Sequence, residues 1–506
     1  MEFTSGSARR EFLNYRPPFF AAVSLMCGVA LSALMRYTWW AVFLVSALFM
    51  ALFIVGVVRK KRLLALVFGW GAAGLIVFYT YFLLTVAAPV TGYGLVTGRV
   101  SEVLSSSYSG RYLIKDASFN GEALNGSVQL YTDKLLNVGE VITFQGNLEL
   151  IDIDPFDSIG AYYLGEGMRF TAEPDFVTVT ALEDLTLVES LKKALSETMT
   201  RYMGSDSAAV VMGLTIGERA DIPSEVTDAF TGAGVSHILS VSGLHVSFME
   251  GMVYGFMRLI KSPMKKALLP LAVILPLYCL MTGFEPGVIR ASVTALIFLS
   301  ALSVKARFDA LNALSASAIV ILLTMPWSLF DVGFQMSFAA VLGIILFYKP
   351  LFRVLRPGGF RPVHKLLRRI AASLALSVSA NILLIGISFS VFGTFAVYFI
   401  PANLIAVPIA SLIYMLAVPI SFLSVLIPYL GYLLVPVGYL TELLILFSEI
   451  FAGLPGSTAT ATVSSLAAMI YSAGVVFGSG INLMKKNVRY TVSGICAALF
   501  VLMLLA

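Results

Sequence analysis

Charged residues are scarce in this sequence of 506 residues, where Asp, Glu, Lys and Arg together make up only 12% of the chain. Soluble domains carry about 25% charged residues, so an ordinary soluble fold is excluded. Hydrophobic residues account for 58% of the sequence, and the mean hydropathy is +0.89. The lipid bilayer is therefore the main solvent of this chain.

Cysteine is equally rare. The three cysteines, Cys27, Cys279 and Cys496, lie within apolar runs, and the polar segment 89–184 contains none. A disulfide framework is therefore not predicted.

The chain has three histidines and lacks the HExxH and paired-cysteine spacings of zinc sites. It also lacks the GxxxxGK[ST] phosphate loop, which excludes nucleotide hydrolysis by that loop. We therefore predict no metal site, no cofactor and no catalytic residue.

Long apolar runs are abundant. A helix needs about 20 apolar residues to cross the hydrocarbon core, and the first three such runs are Pro18 to Met35, Trp39 to Val58 and Leu63 to Ala88. Counting along the chain predicts a polytopic α-helical membrane protein with about 10–12 transmembrane helices.

Basic residues set the predicted orientation. The cluster Arg59 to Arg62 lies between the second and third runs, whereas the loop before it has only Arg36. The positive-inside rule then places this cluster and the N-terminus in the cytoplasm. The third run exits, so the polar segment that follows it is extracytoplasmic.

That polar segment changes to short alternating runs such as "GSVQLYT" and "EVITFQGNLEL", broken by Gly, Asn and Asp. These are strand and turn signals, and they predict a small β-barrel that resembles an oligonucleotide/oligosaccharide-binding (OB) fold. The predicted divisions are 1–88 for three transmembrane helices, 89–185 for the barrel, 186–236 for amphipathic, surface or re-entrant helices, and 237–506 for the main transmembrane domain.

Polar residues gather near the predicted outer face of the main transmembrane domain. They are Ser236, His237, Ser240, Ser242 and His245 at the start of a span predicted over 237–260, Glu285 and Arg290 at the next outer loop, and Asp331, Gln335 and Ser337 at another. Polar groups at membrane depth usually face a cavity or one another, which predicts a polar vestibule. Two other interpretations stay open: serine and glycine also permit close helix packing, and Arg290 can extend to the headgroups.

Five segments of the chain resemble the ComEC-type competence proteins, the DNA-uptake channels of transformable bacteria. In family order they read "VMGLTIGERADIP" (211–223), "AFTGAGVSHILSVSGLHV" (229–246), "YCLMTGFEPGVIRASV" (278–293), "DVGFQMSFAAVLGI" (331–344) and "IPANLIAVPIA" (400–410). With the N-terminal helices and the β-rich insert, the resemblance covers nearly the whole chain.

The resemblance implies an inner-membrane channel that imports single-stranded DNA during natural transformation. It also implies as partners an external DNA receptor, a cytoplasmic helicase-like ATPase and a separate nuclease, and it leaves the oligomeric state open. The residues assigned to the DNA conduit are Gly234, His237, Ser240, Ser242, Gly243, His245, Glu285, Arg290, Gln335 and Asn403.

The chain departs from the family pattern in two respects. Many members carry a metallo-β-lactamase-like domain after the last span, and here the sequence ends at Ala506. The insert is also acidic, with 14 acidic and 5 basic residues over 89–185, which argues against a strong grip on phosphate. Either an aromatic face stacks bases, or the barrel is mainly structural. The candidates for base stacking are Tyr108, Tyr112, Phe119 and Tyr131.

Two other functions compete with the DNA channel. A permease for a smaller solute is suggested by the proline-interrupted runs near the C-terminus, at Pro401, Pro408 and Pro419. An intramembrane serine hydrolase is suggested by Ser242 and His245, although no third group that would orient the histidine is evident.

Overall fold

The computed structural model describes residues 16–85, 91–105, 110–151, 153–154, 156, 158–174, 176–355, 362–461, 463–479, 488, 491–496 and 498–499. The described part of the chain begins with three antiparallel apolar helices: α1 (Pro17–Leu34), α2 (Trp39–Val58) and α3 (Arg62–Thr85). Their bounds lie close to those predicted from hydropathy. Helices α1 and α3 pack tightly because Gly28 meets Gly71 and Gly74, where a Cβ atom would collide with backbone.

The polar insert follows α3 and consists of seven strands and one helix. These are β1 (Gly92–Ser105), β2 (Gly110–Phe119), β3 (Glu122–Ala123), β4 (Ser127–Thr132), β5 (Glu140–Leu150), α4 (Ser158–Glu166), β6 (Met168–Ala172) and β7 (Val177–Leu182). Five strands close into a barrel in the order β1-β2-β4-β6-β5 and back to β1, with β4 and β6 parallel. The predicted small OB-like barrel is confirmed.

Alternation along the strands explains the barrel core. In β5, Ile142, Phe144, Gly146 and Leu148 are buried, and the residues that alternate with them are more exposed. A period of two places these side chains on one face, where they fill the barrel with residues of the neighbouring strands. The insert therefore has its own hydrophobic core.

The barrel rests on the ends of α1 and α3. Arg36 pairs with Asp154 at 3.2 Å, and the Tyr81 hydroxyl donates to the Leu164 carbonyl of α4 at 2.8 Å. These contacts place the barrel directly above the membrane helices.

Four helices connect the barrel to the main transmembrane domain: α5 (Leu187–Tyr202), α6 (Ser205–Ile216), α7 (Ser224–Gly232) and α8 (Ser236–Leu239). Helix α5 begins with a capping box of Thr186 and Glu189. The Arg99 side chain of β1 donates to Glu189 at 2.7 Å, and this hydrogen bond holds the pKa of Glu189 at about 2. Helix α5 is thereby tied to the barrel.

Of the two predicted locations, surface or re-entrant, the surface one is wrong for α6, and the re-entrant one stays a prediction. Every residue from Ser207 to Ile216 is buried. The sequence misled because the polar ends of α6 resemble those of a surface helix, whereas its middle is apolar all round, as in a helix surrounded by protein.

The remaining helices are α9 (Gly243–Leu259), α10 (Leu268–Met281), α11 (Pro286–Ser303), α12 (Ala310–Thr324), α13 (Val332–Leu355), α14 (Pro362–Phe392), α15 (Phe399–Leu426), α16 (Val435–Ala452) and α17 (Ser465–Gly478). A short ribbon of β8 (Thr394–Ala396) and β9 (Thr458–Thr460) joins the start of α15 to the segment before α17. Helices α5, α6, α15 and α16 share one large core.

Among the described residues, eight helices are long and apolar enough to cross a membrane, and four further apolar helices are shorter. The chain is a multi-pass membrane protein with a small barrel, as predicted. Two details differ. The span predicted over 237–260 is broken at residues 240–242, and Pro408 and Pro419 lie inside the continuous helix α15.

Candidate functional site

A cavity of 2590 Å³ lies beneath the barrel and between the helices of the main transmembrane domain. Its upper wall is formed by β1, α4 and the segment 135–138. Below, one wall is formed by α8, α9 and α11, and the other by α13, α14 and the first turns of α15. The cavity therefore joins the barrel to the membrane interior.

The cavity extends along most of the membrane thickness. Its lining on α14 runs from Ser373 to Phe392, a rise of about 28 Å at 1.5 Å per residue. At the end far from the barrel, the lining includes Phe298 and Phe308, whose rings meet edge to face at 5.3 Å. The hydrocarbon core is about 30 Å thick, so this lining spans a comparable distance.

Helix α14 contributes a polar stripe that sequence reasoning missed. Ser373, Ser377, Asn381 and Ser388 all line the cavity, and their separations of four and seven residues keep them on one helical face. The signal was present in "SLALSVSANILLIGISFS" as a small polar residue at nearly every turn. It was overlooked because the segment follows a basic loop and reads as an ordinary apolar span.

The break between α8 and α9 opens the backbone beside the cavity. Ser240 and Ser242 have extended backbone, and Ser242 caps α9 by accepting from the Leu244 N–H at 3.4 Å. The Ser242 N–H donates to Nδ1 of His245 at 2.9 Å, which completes a capping box. The signature "SVSGLH" therefore encodes a helix start inside the protein.

His245 lies behind the cavity wall. It is only 2% exposed, and its ring lies 4.8 Å from that of Tyr414. Tyr414 donates to the Tyr278 hydroxyl at 3.2 Å, which in turn donates to the Thr215 carbonyl at 3.0 Å. This chain of contacts, here called the tyrosine bridge (Thr215, His245, Tyr278 and Tyr414), links α6, α9, α10 and α15.

Arg290 lines the cavity from α11 and is only 8% exposed. Its Nη1 donates to the Ser337 carbonyl of α13 at 2.8 Å. Its Nη2 lies 2.6 Å from the position that a Cβ atom would occupy at Gly243. A side chain at position 243 would therefore require the guanidinium to shift from the start of α9.

Other residues assigned to the conduit divide into two groups. Gly234, His237, Ser240, Glu285 and Asn403 line the cavity, as do Ser242 and Gly243. Gln335 does not; its amide donates to the Leu329 and Phe330 carbonyls at 3.2 Å and so holds the turn before α13. Gly234 has φ 76, and a Cβ there would lie 2.7 Å from Cβ of Ala396.

Acidic side chains concentrate where the cavity meets the barrel. Burial, reinforced by the charge of Glu102, raises the pKa of Glu166 to about 7. Burial also raises the pKa of Glu285 and Asp331. We call Glu102, Glu166, Glu285 and Asp331 the acidic mouth. The nearby charge of Lys115 opposes the rise in the pKa of Glu166.

Two of the four aromatic residues predicted to stack bases, Tyr112 and Phe119, do not lie on an exposed face of the barrel. Tyr112 is 1% exposed and Phe119 is also buried, both within the barrel core. Tyr131 is half-buried on β4, and Tyr108 lies outside the described residues. Alternation on β2 directs Tyr112 inward, where its hydroxyl donates to the Lys134 carbonyl at 3.1 Å. The inward direction could not be assigned before the register was known.

The geometry gives little support to hydrolytic chemistry. Ser242 Oγ lies 3.3 Å from Nδ1 of His245, but that nitrogen accepts from the Ser242 backbone. No carboxylate hydrogen-bonds His245 within the described part of the chain, so the orienting member of a triad is not provided there. In the described residues, no group of three or more His, Cys, Asp or Glu side chains is placed to hold a metal ion.

Comparison with known proteins gives three partial relatives. Residues of this chain are 36% identical over 159 residues to ComE operon protein 3 of Bacillus subtilis (strain 168), which covers 31% of this chain and 20% of that protein. The uncharacterized protein YcaI of Escherichia coli (strain K12) is 26% identical over 218 residues, 40% of this chain and 28% of the relative. An uncharacterized protein of Aquifex aeolicus (strain VF5) is 30% identical over 166 residues, 32% of this chain and 37% of the relative.

The matched segments thus span well under half the length of each of these relatives, and no solved structure matches the chain. The family model for competence proteins matches residues 214–486. This range contains α9, the polar stripe of α14 and Arg290, and it covers more than half of the sequence. The chain therefore belongs to the Competence protein family.

Proposed function

We propose that this protein forms the passage through which single-stranded DNA crosses the inner membrane of a bacterium during natural transformation. The observation that carries the proposal is the cavity, whose lining runs from the barrel to Phe298 and Phe308 at the far end of the helices. Membership of the family and the similarity to ComE operon protein 3 support the same role.

The size of the cavity favours a polymer over a small solute. Sites for small molecules measure about 300–1,000 Å³, and this cavity measures 2590 Å³. The helix break at residues 240–242 is the feature that a permease would share. The prolines of α15 give the permease no support, because that helix is continuous.

The chemistry of the lining suits passage without capture. Serine and asparagine side chains replace part of the water around a strand and bind it weakly, so that it can move on. The tyrosine bridge and Gln335 then act as supports of the wall. On this proposal, an external receptor delivers DNA to the barrel, and a helicase-like ATPase and a separate nuclease act as further partners.

A deletion strain tests the function directly. We expect that a transformable bacterium lacking the gene binds labelled DNA at its surface but accumulates none in the cytoplasm, with unchanged growth and solute uptake. Normal DNA entry in that strain would refute the proposed function. Loss of uptake of a small solute would instead favour a permease.

The proposed orientation predicts a labelling pattern. With the three native cysteines replaced, a cysteine at Glu122, exposed on β3, should react with an impermeant thiol reagent in intact cells. A cysteine at Lys365, exposed near the start of α14, should react only after the cells are opened, because basic loops stay inside. Labelling of Lys365→Cys in intact cells would reverse the orientation.

The acidic mouth predicts a dependence on external pH. Glu166 has a raised pKa of about 7, so it is mostly neutral at pH 6 and charged at pH 8, when it repels a polyanion. Since one charge is added at the entrance, we expect DNA entry to fall by roughly two- to fivefold from pH 6 to pH 8. Glu166→Gln should reduce this dependence.

The matched control is Glu149→Gln, an exposed position on β5 that does not line the cavity. It should keep the wild-type dependence on pH. Rates of entry of labelled DNA at the two pH values give the measurement. An identical pH ratio in wild type and Glu166→Gln would show that this carboxyl does not face the path.

A further inference from the structure

The guanidinium of Arg290 is a buried positive charge without an acid beside it. Six ion pairs are found among the described residues, and none of them includes Arg290. Burying a charge is costly unless it is paired. The position therefore needs an explanation beyond helix packing.

Most of the donors of this guanidinium are unused. Arginine has five N–H donors, and Arg290 makes one hydrogen bond to the described chain, from Nη1 to the Ser337 carbonyl. Some side-chain nitrogen and oxygen atoms of the described chain are fully buried without a hydrogen-bond partner, but none of them belongs to Arg290. Arg290 also lines the cavity, which places its guanidinium beside that space.

The start of α9 adds a second positive potential at the same place. Gly243 is its first residue, and Nη2 of Arg290 lies against it. A helix start carries a partial charge of about +0.5. The Leu244 and His245 N–H groups donate to Ser242, which leaves the N–H of Gly243. A guanidinium beside a helix N-terminus is unfavourable unless an anion lies between or beside them.

The nearest acids on the same helices do not provide that anion. Glu250 follows Gly243 by seven residues, about 10.5 Å along α9. Glu285 accepts from Arg219 at 2.8 Å. The wall thus presents a positive site that a ligand of negative charge would complete.

We propose that Arg290 and the first turn of α9 bind one phosphodiester group of the strand that passes through the cavity. This inference rests on the proposed function. The guanidinium has the planar fork that fits two oxygens of a phosphate, and the Gly243 N–H supplies a third donor. A Cβ atom at position 243 would displace Nη2 from this place.

The test uses the full chain in nanodiscs of zwitterionic lipid and a fluorescent oligothymidylate as probe, with affinity measured over a range of NaCl concentrations. Arg290→Gln should weaken binding roughly tenfold at low salt and lower the slope of log K against log [salt] by about 0.7, the loss of one phosphate contact to a single strand. Arg290→Lys should keep the wild-type slope, since it keeps the charge.

The matched control is Arg258→Gln, which removes an exposed arginine at the other end of α9. It should change neither the affinity nor the slope. A purely structural arginine would give a different pattern: both substitutions at Arg290 would lower the unfolding temperature, and neither would change the slope. That result overturns the proposal.

A measurement on the unmodified protein covers the case in which Arg290→Gln does not fold. Inorganic phosphate should compete with the oligonucleotide several-fold better than chloride at equal ionic strength, because the site fits an oxyanion. Equal competition would also overturn the proposal. The proposal would also be overturned if added anionic lipid abolished the difference in oligonucleotide affinity between wild type and Arg290→Gln, because a lipid headgroup would then fill the site.

Failure of this inference differs from failure of the proposed function. If the folded Arg290→Gln variant keeps the wild-type salt slope while the deletion strain imports no DNA, the phosphate site is refuted and the proposed passage is retained. Normal DNA entry in the deletion strain removes the passage itself.

Discussion

A tryptophan at position 377 is expected to reduce DNA entry by roughly a hundredfold or more, because a steric block in a passage acts on every strand. Ser377 lies one helical turn from both Ser373 and Asn381 in the middle of the polar stripe of α14. The indole would replace a hydroxymethyl group in the lining of the cavity. The amount of protein in the membrane should stay near normal, because the added bulk extends into open space.

Two variants separate bulk from other effects. Ser377→Ala should be nearly neutral, since Ser373 and Asn381 retain the polarity of the stripe. Val320→Trp places the same indole on α12, at a half-exposed position that does not line the cavity, and should leave DNA entry unchanged.

The measurements are the entry of labelled DNA and the amount of each variant in the membrane. A Ser377→Trp variant that accumulates and imports DNA normally would show that the stripe does not border the path. The proposal would then lose the observation that carries it.

Ser379 shows why the face of α14 matters. It lies only two residues from Ser377 but is fully buried, and its carbonyl packs where Gly343 of α13 has no side chain. Both serines look alike in the sequence. Only the packing of α13 against α14 distinguishes the residue that lines the cavity from the residue that joins two helices.

The sequence predicted the membrane helices and the barrel well, because both depend on local patterns. The first three helices follow from runs of apolar residues, and the alternation in β5 follows from a period of two. The bounds of α2 agree at both ends with the predicted run. Such features can be predicted without knowing which element packs against each helix or strand.

The candidate site was predictable only in part. Arg290 and Glu285 stand out in the sequence as unusual polar residues, Asn403 is assigned by the family resemblance, and all three line the cavity. His245 and Gln335 were selected on the same grounds, yet one is a capping residue packed on a tyrosine and the other holds a turn. Composition identifies a costly polar group, but the direction of its side chain depends on helix packing that no single segment encodes.

The break in the span predicted over 237–260 was missed for a similar reason. The segment "ILSVSGLHV" contains no proline, and serine is compatible with a helix interior. Its capping box appears as Ser242 followed by His245 three residues later, rather than by the usual Glu or Gln. The histidine takes the place of the acidic partner, which hid the helix start.

The tyrosine bridge should be the most sensitive support of the cavity wall. Tyr414→Ala is expected to prevent accumulation of the folded protein, because truncating a buried aromatic residue costs about 3–5 kcal/mol out of a total stability of about 5–15 kcal/mol. Tyr414 is fully buried, and its ring contacts those of His245 and Phe248. The truncation would also leave the Tyr278 hydroxyl without the hydrogen bond from Tyr414.

Tyr414→Phe is the matched control, since it keeps the ring and removes only the hydroxyl. Its expected cost is about 0.5–1.5 kcal/mol, the net worth of one hydrogen bond. Membrane abundance and the thermal unfolding of detergent-solubilised protein provide the comparison. Wild-type abundance and unfolding temperature in Tyr414→Ala would contradict the assignment of this residue to the wall.

Coupling between Tyr414 and His245 gives the sharper form of this prediction. The imidazole of His245 is fixed on one side by the Ser242 N–H and on the other by the Tyr414 ring. When either ring is removed, the remaining ring has already lost the contact between Tyr414 and His245. In the double variant Tyr414→Phe with His245→Ala, the ring at position 414 stays, and the ring contact is lost only because the imidazole is gone. In the double variant Tyr414→Leu with His245→Ala, both rings are gone. We expect the separate losses of unfolding free energy in Tyr414→Leu and His245→Ala to sum to about 0.5–3 kcal/mol more than the loss in the double variant, as for residues in contact. Additive losses would show that the two rings support the wall independently.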